Sequence, residues 1–192
     1  MRGHHLAVYN FGLHVDAYES PRVEGFRLRE PLNFEAARRA EGYLGRSGYD
    51  GEPGPESWGE KVYPRFIKES GFDDAPSSLS LWTGLEALMA FTYSGVHADA
   101  LKHARNWNQR QAWPALVLWW VGEDTRPSWA DGAERLESLH DDGSTPRAFT
   151  FKAPFCPHGN AITIDRDNVK AIAGRNATGQ EALLAVVKTL KA

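Results

Sequence analysis

Ala115-Leu116-Val117-Leu118-Trp119-Trp120-Val121 is the stretch on which the fold turns. It follows Pro114, whose ring removes a backbone donor and clashes with a preceding helical turn, so no helix runs into it. A short apolar run of β-branched and aromatic residues, bounded by a proline and by Gly122, reads as a strand. Being apolar on both faces, it has to be a central strand covered on each side. Strand side chains alternate, so Trp119 and Trp120 point to opposite faces and only one of them can line a given pocket. The run is also far short of the roughly 20 residues needed to span a bilayer, which excludes a membrane helix.

Working outward, Ser78-Leu79-Ser80-Leu81-Trp82 alternates as a second strand. Thr83 and Glu86 have the spacing of a capping box and open a helix that turns Leu85, Leu88 and Met89 inward. A further helical stretch follows Gly95, with His97, Leu101, Ala104 and Trp107 on one face. Beyond the central strand, Ser128 and Asp131 cap a helix with an inner stripe of Trp129, Ala133, Leu136, Leu139 and His140. Ala148 to Phe151 and Ile162 to Ile164 read as short strands, and Thr178 with Glu181 caps a last helix. At the other end of the chain, His5 to Leu13 alternates as a first strand and Glu30 to Leu44 has helical spacing. Between Gly42 and Ser78, seven glycines and four prolines argue against regular structure, apart from a short helix near Tyr63 to Glu69. Tyr43, Tyr49, Trp58, Tyr63 and Phe66 in the same stretch argue against a disordered linker. It is expected to fold back onto the body, either as a lid or as an ordered surface insertion.

Composition narrows the function classes. With 22 Lys and Arg against 25 Asp and Glu the net charge is -3, which provides no basic footprint for nucleic acid. One cysteine, Cys156, rules out an internal disulfide framework, and nothing near the start resembles a signal peptide, so a reducing, cytoplasmic setting is expected. Cys156 with His158 supplies two candidate metal ligands where zinc needs three or four. Phosphate-loop, His-Glu-x-x-His and Gly-x-Ser-x-Gly motifs do not occur.

The order of elements predicts an α+β fold, an antiparallel sheet with helices on one face, of ferredoxin-like type. Leu81-Trp82, Leu85-Glu86-Ala87-Leu88, Phe91-Thr92-Tyr93, His97, Leu116 to Val121, Arg126-Pro127 and Ala148-Phe149-Thr150-Phe151, in that order, add a resemblance. Together they resemble a bacterial family of unknown function within the dimeric α/β-barrel superfamily, alongside the antibiotic-biosynthesis monooxygenases. The resemblance implies a homodimer in which two sheets close a barrel, with a pocket for a hydrophobic small molecule in each subunit. On this reading residues 1–155 are the barrel domain, carrying the Gly/Pro-rich insertion at about 42–78, and 156–192 are a C-terminal extension ending in a helix. The insertion and the tail depart from the family pattern.

The candidate site is gathered around His97. At a helix start its imidazole is held neutral, which suits a general base, a hydrogen-bond acceptor or a metal ligand; a packing histidine bonded to a carbonyl is the plainer alternative. Tyr93, four residues earlier, is the expected hydrogen-bond partner. Five of the seven tryptophans lie between Trp82 and Trp120, a density that suggests the wall of a pocket for a flat apolar ligand. Trp82, Trp107, Trp120 and Trp58 are the expected wall, and Arg110 an expected substrate contact. The leading expectation is an enzyme acting without cofactor on an aromatic or polyketide-like metabolite, by oxygenation, isomerisation or cyclisation. The alternatives are a haem protein with His97 as axial ligand and Arg105 or Arg110 as distal cation, which the resemblance brings in, and a ligand-binding protein without chemistry.

Overall fold

In the computed structural model, which describes residues 3–191, β1 (His4–Phe11) is the strand around which the sheet is built. It pairs antiparallel with β3 (Ser77–Trp82) on one side and with β4 (Leu116–Gly122) on the other. A short β2 (Tyr43–Arg46) flanks β3, giving the order β2-β3-β1-β4. One helix, α1 (Glu24–Arg39), joins β1 to β2, and two, α2 (Leu85–Thr92) and α3 (Gly95–His103), join β3 to β4. That strand order with those helical connections is ferredoxin-like, and the expected α+β class with an antiparallel sheet holds.

The chain divides into two compact units. A sheet unit comprises Met1–Leu13, Leu44–Thr83 and Gln111–Ile164; a helical unit comprises His14–Tyr43, Gly84–Arg110 and Asp165–Ala192.

In the sheet unit the alternation within each strand sorts side chains onto two faces. Ala7, Tyr9, Phe11, Leu79, Val117 and Trp119 form one cluster with Trp129, Leu136 and Leu139 of α4 (Trp129–Asp142). The expected capping box opens α4, with the Ser128 side chain accepting from Asp131 N–H and the Asp131 carboxylate accepting from Ser128 N–H. On the opposite face the register sets Leu6 beside both Trp82 and Trp120, and Leu6, Val8 and Leu118 are buried. Both faces are therefore covered, as an apolar β4 requires. The strand expected at Ala148 to Phe151 reduces to isolated bridges, chiefly Phe149 with Leu118, and no strand forms over Ile162 to Ile164. Pro146 and Pro154 bracket the first of these segments and remove donors a longer ladder would need.

The Gly/Pro-rich stretch carries a 3-10 turn at Arg65–Glu69, and its Tyr49, Trp58, Val62, Tyr63, Phe66 and Ile67 pack on the same cluster as α4. At roughly 25 cal/mol per Å2 and roughly 150–250 Å2 per aromatic ring, each buried ring gains about 4–6 kcal/mol of transfer energy.

In the helical unit three boundaries differ from expectation. α1 starts at Glu24 rather than Glu30, and Pro31 lies inside it rather than at its start. α2 has Gly84 at its N-cap with no side-chain cap, and Glu86, expected in a capping box, accepts instead from the backbone N–H of Asp165. The last helix, α5 (Arg166–Val187), is capped by Asp165, well before Thr178. Gly174 and Gly179 lie within it in open space, and the buried Asn176 and Gln180 tie the helix to its neighbours. Asn176 accepts from Glu41 N–H, and Gln180 donates to the Ala36 carbonyl. Ala36, Val96 and Val187 form the centre where α1, α3 and α5 meet.

α4 approaches Tyr9 so closely that a Cβ added at Gly132 would lie 2.6 Å from the Tyr9 ring. Gly132→Ala is expected to destabilise the protein by about 1–3 kcal/mol through overpacking. Urea denaturation of wild type and variant measures this, and equal midpoints would contradict the contact.

Candidate functional site

His97 occupies the first turn of α3, which follows α2 after the short Tyr93-Ser94 link. Its Nδ1 lies 2.9 Å from the carbonyl oxygen of Thr92, so Nδ1–H donates there and Nε2 is left as the basic nitrogen. Phe91 packs against the ring at 4.9 Å between centroids. Desolvation by these neighbours pulls the imidazole pKa below its ordinary value, against the opposing pull of the Thr92 carbonyl. The ring is thus neutral at pH 7. Tyr93 stands at the C-cap of α2 and is exposed.

Trp107 does not share a helical face with His97, because α3 ends at His103 and a 3-10 turn over Ala104–Asn106 intervenes. Leu101, expected inward on that face, is exposed. Trp107 itself is buried and forms part of the wall of a cavity of about 240 Å3, with Pro21, Arg22, Glu24, Gly25, Leu28, Asn106 and Lys191. The cavity is mixed in character, with apolar surface from Leu28, Pro21 and Trp107 and charge from Arg22, Glu24 and Lys191.

One side chain outside the cavity holds this wall. Arg29, only 2% exposed, lies over the Trp107 ring at 5.3 Å. It donates to the carbonyl oxygens of Gly25 at 3.1 Å and Lys191 at 2.8 Å, both residues of the cavity lining. Its Nε donates to Asp99 Oδ2 at 3.0 Å, and Asp99 Oδ1 lies 3.7 Å from His103 Nε2. His103 in turn packs near Trp107, 6.4 Å between ring centroids. A guanidinium is suited to this task because its planar fork can satisfy several acceptors while its face covers an indole. Arg29, Asp99, His103, Asn106 and Lys191 were not among the expected site residues. The Asp99–His103 spacing of four on a helix is a signal for that pair, whereas nothing local in the sequence marks Arg29 as buried.

The other expected wall residues belong to the sheet unit. Trp82 and Trp120 share a face on either side of Leu6; Trp82 Nε1 donates to Ser80 Oγ at 3.0 Å and Trp120 Nε1 to the Phe155 carbonyl at 2.6 Å. Trp58 packs on the opposite face, with the α4 cluster, and Arg126 lies 6.0 Å over its ring. Arg110 is exposed in the loop after Trp107. His97, Tyr93, Trp107 and Arg110 are thus residues of the helical unit, and Trp58, Trp82 and Trp120 of the sheet unit. Among the described residues no group of three or more His, Cys, Asp or Glu side chains could hold a metal ion, and no helix is long and apolar enough to cross a membrane.

An antiparallel ferredoxin-like sheet with helical crossovers and a small, partly apolar cavity defines an α+β protein of the dimeric α/β-barrel type. The particular family follows from residues 5–164, which match a domain of unknown function, DUF3291, and the chain belongs to that family. No curated protein and no solved structure matches it.

Two outcomes follow. Arg29→Met leaves the half-buried Asp99 without its cation and the carbonyls of Gly25, Leu190 and Lys191 without their donor, so it is expected to destabilise the protein by about 3 kcal/mol or more; Arg29→Lys, which lacks the fork, should recover little. Urea unfolding measures both. For His97 the folded pKa is lowered, so the unfolded chain binds the proton first as pH falls. Stability that is full above the unfolded value, about 6.5, is therefore lost as pH drops from there toward the folded value. The difference in unfolding free energy between wild type and His97→Gln should shrink between pH 7 and pH 5; a difference independent of pH would contradict it.

Proposed function

We infer that the protein binds a small hydrophobic or aromatic molecule, and that the cavity beside Trp107 receives it. The supporting observation is the Arg29 brace, since a buried guanidinium committed to three parts of one cavity wall keeps that wall formed in the absence of ligand. Preformed concave sites with an aromatic wall and a few polar groups are where small ligands bind. A volume of about 240 Å3 suits a ligand of one or two rings.

The catalytic form of this reading is an enzyme without cofactor, monooxygenase-like or isomerase- or cyclase-like. His97 is its proton acceptor through Nε2, with Tyr93 as a hydrogen-bond partner and Trp107 and Arg110 of the same helical unit as substrate contacts; Trp58 and the Trp82–Trp120 pair lie on opposite faces of the sheet unit and do not make one wall. The neutral ring with a fixed tautomer supports the base role. The same tautomer, with its second nitrogen donating to a carbonyl, is also the one a histidine ligand to a metal adopts, which supports the haem alternative. A cytoplasmic setting and a homodimer complete the proposal.

Calorimetric titration with indole and with naphthalene-2-carboxylate tests the binding site. Wild type should bind at least one of them saturably, and Leu28→Asp, which charges the lining without touching the brace, should weaken it at least tenfold. Unchanged affinity in Leu28→Asp would remove the cavity from the proposal. Once a turned-over substrate is found, His97→Gln should lose turnover and keep binding; unchanged turnover returns His97 to a packing role. Added hemin should give no Soret band that depends on His97, and one that does would establish the haem alternative.

A further inference from the structure

Arg29 brings two opposite charges to one rim of the Trp107 cavity. Its Nη1 donates to the carbonyl oxygen of Gly25 at 3.1 Å and to that of Lys191 at 2.8 Å, so a single nitrogen draws the first turn of α1 and the residues that follow α5 together. Glu24 precedes Gly25 in that turn, and Glu24 and Lys191 are both exposed and both line the cavity. The carboxylate and the ammonium therefore arise from neighbouring points of the backbone. Among the described residues neither makes an ion pair, with the other or with a third group.

The other charges around the cavity are already answered. Arg22, the third charged residue of the lining, lies 3.9 Å from the Asp16 carboxylate, which also accepts from Ser20 Oγ and the Ala17 N–H. Behind the wall, Arg29 and Asp99 pair with each other at 3.0 Å. A ligand that enters takes water from both Glu24 and Lys191, and stripping water from a charge is unfavourable unless a partner replaces it. A neutral ring replaces neither. An anion answers Lys191 and is opposed by Glu24, and a cation does the reverse. A ligand carrying both charges answers both. Its apolar part has Trp107, Leu28 and Pro21 to lie against, in a volume of about 240 Å3.

We propose that the ligand of the Trp107 cavity is a zwitterion, an aromatic α-amino acid, with its ring against Trp107 and Leu28, its ammonium toward Glu24 and its carboxylate toward Lys191. This rests on the reading of that cavity as the binding site, and adds to it the charge class of the ligand.

L-Tryptophan, indole-3-propionate, tryptamine and 3-methylindole are the probes, one ring system carrying both charges, the anion alone, the cation alone and neither. Binding to the 15N-labelled full chain at pH 7 is followed on the Trp107 indole N–H, assigned by its loss in Trp107→Phe. L-Tryptophan should bind about tenfold more tightly than 3-methylindole and about threefold more tightly than either singly charged analogue, the scale that partly exposed charge pairs reach. Glu24→Gln should weaken tryptophan and tryptamine about threefold and strengthen indole-3-propionate; Lys191→Gln should weaken tryptophan and indole-3-propionate about threefold and strengthen tryptamine. The ligand series on wild type decides even if a variant fails to fold. Binding of 3-methylindole as tight as that of tryptophan would overturn the proposed charge class while leaving the cavity as the site. Tighter binding of either singly charged analogue than of tryptophan would do the same, as would variants that leave the order of affinities unchanged. No saturable shift of the Trp107 signal with any of the four would remove the cavity itself, and this proposal with it.

Discussion

The pairing of β1 on both of its edges is the interaction on which the rest depends. β3 and β4 make no ladder with each other; each is positioned by its register on β1. A slip of one residue in either pairing would move the whole set of side chains on that strand to the other face. Tyr9, Phe11 and Trp119 would then leave the α4 cluster, and Leu6 would lose its place between Trp82 and Trp120. The same register brings Ser77 next to Tyr9, so the polar atoms inside the sheet unit are fixed by the ladder and not by any local preference of their own.

The covered state of both sheet faces has a second cause in α4. Gly132 permits α4 to approach the Tyr9 ring, and Trp129, Leu136 and Leu139 fill that face from within the chain. The aromatic residues of the 44–78 segment complete the cover. Long loops without regular structure normally stay solvated because their backbone groups need partners; here Ser47 N–H donates to the Leu79 carbonyl and Gly48 N–H to the Glu56 carbonyl, which meets part of that demand.

The strand framework was legible because period-two alternation and a doubly apolar β4 are local signals, and the α4 cap was legible because Ser128 and Asp131 stand at the right spacing. The helix starts were less so. The helix expected from Glu30 starts at Glu24 with Pro31 inside it, and the helix expected from Thr178 starts at Arg166, held by Asn176 and Gln180, whose polar side chains give no apolar periodicity to read. Tertiary contacts override propensity at such positions. Of the candidate site, Trp107 emerged beside a cavity and His97 emerged with a defined tautomer. The spacing that joined them on one face broke at the 3-10 turn after His103.

Arg29 shows why the remainder could not be read from the chain. In sequence it is one of several arginines on an amphipathic helix, and arginines on helices are usually solvated. Its burial is made possible by four acceptors and an indole face supplied from four separate places: the first turn of α1, α3, Trp107 after the 3-10 turn, and the residues that follow α5. A cation removed from water is tolerated only where each donor finds a partner, so these segments have to be together before Arg29 is favourable there. The reverse also follows. Once Arg29 is in place, movement of any one of them strands part of a buried charge, which makes the cavity wall behave as a unit although its residues are far apart in sequence.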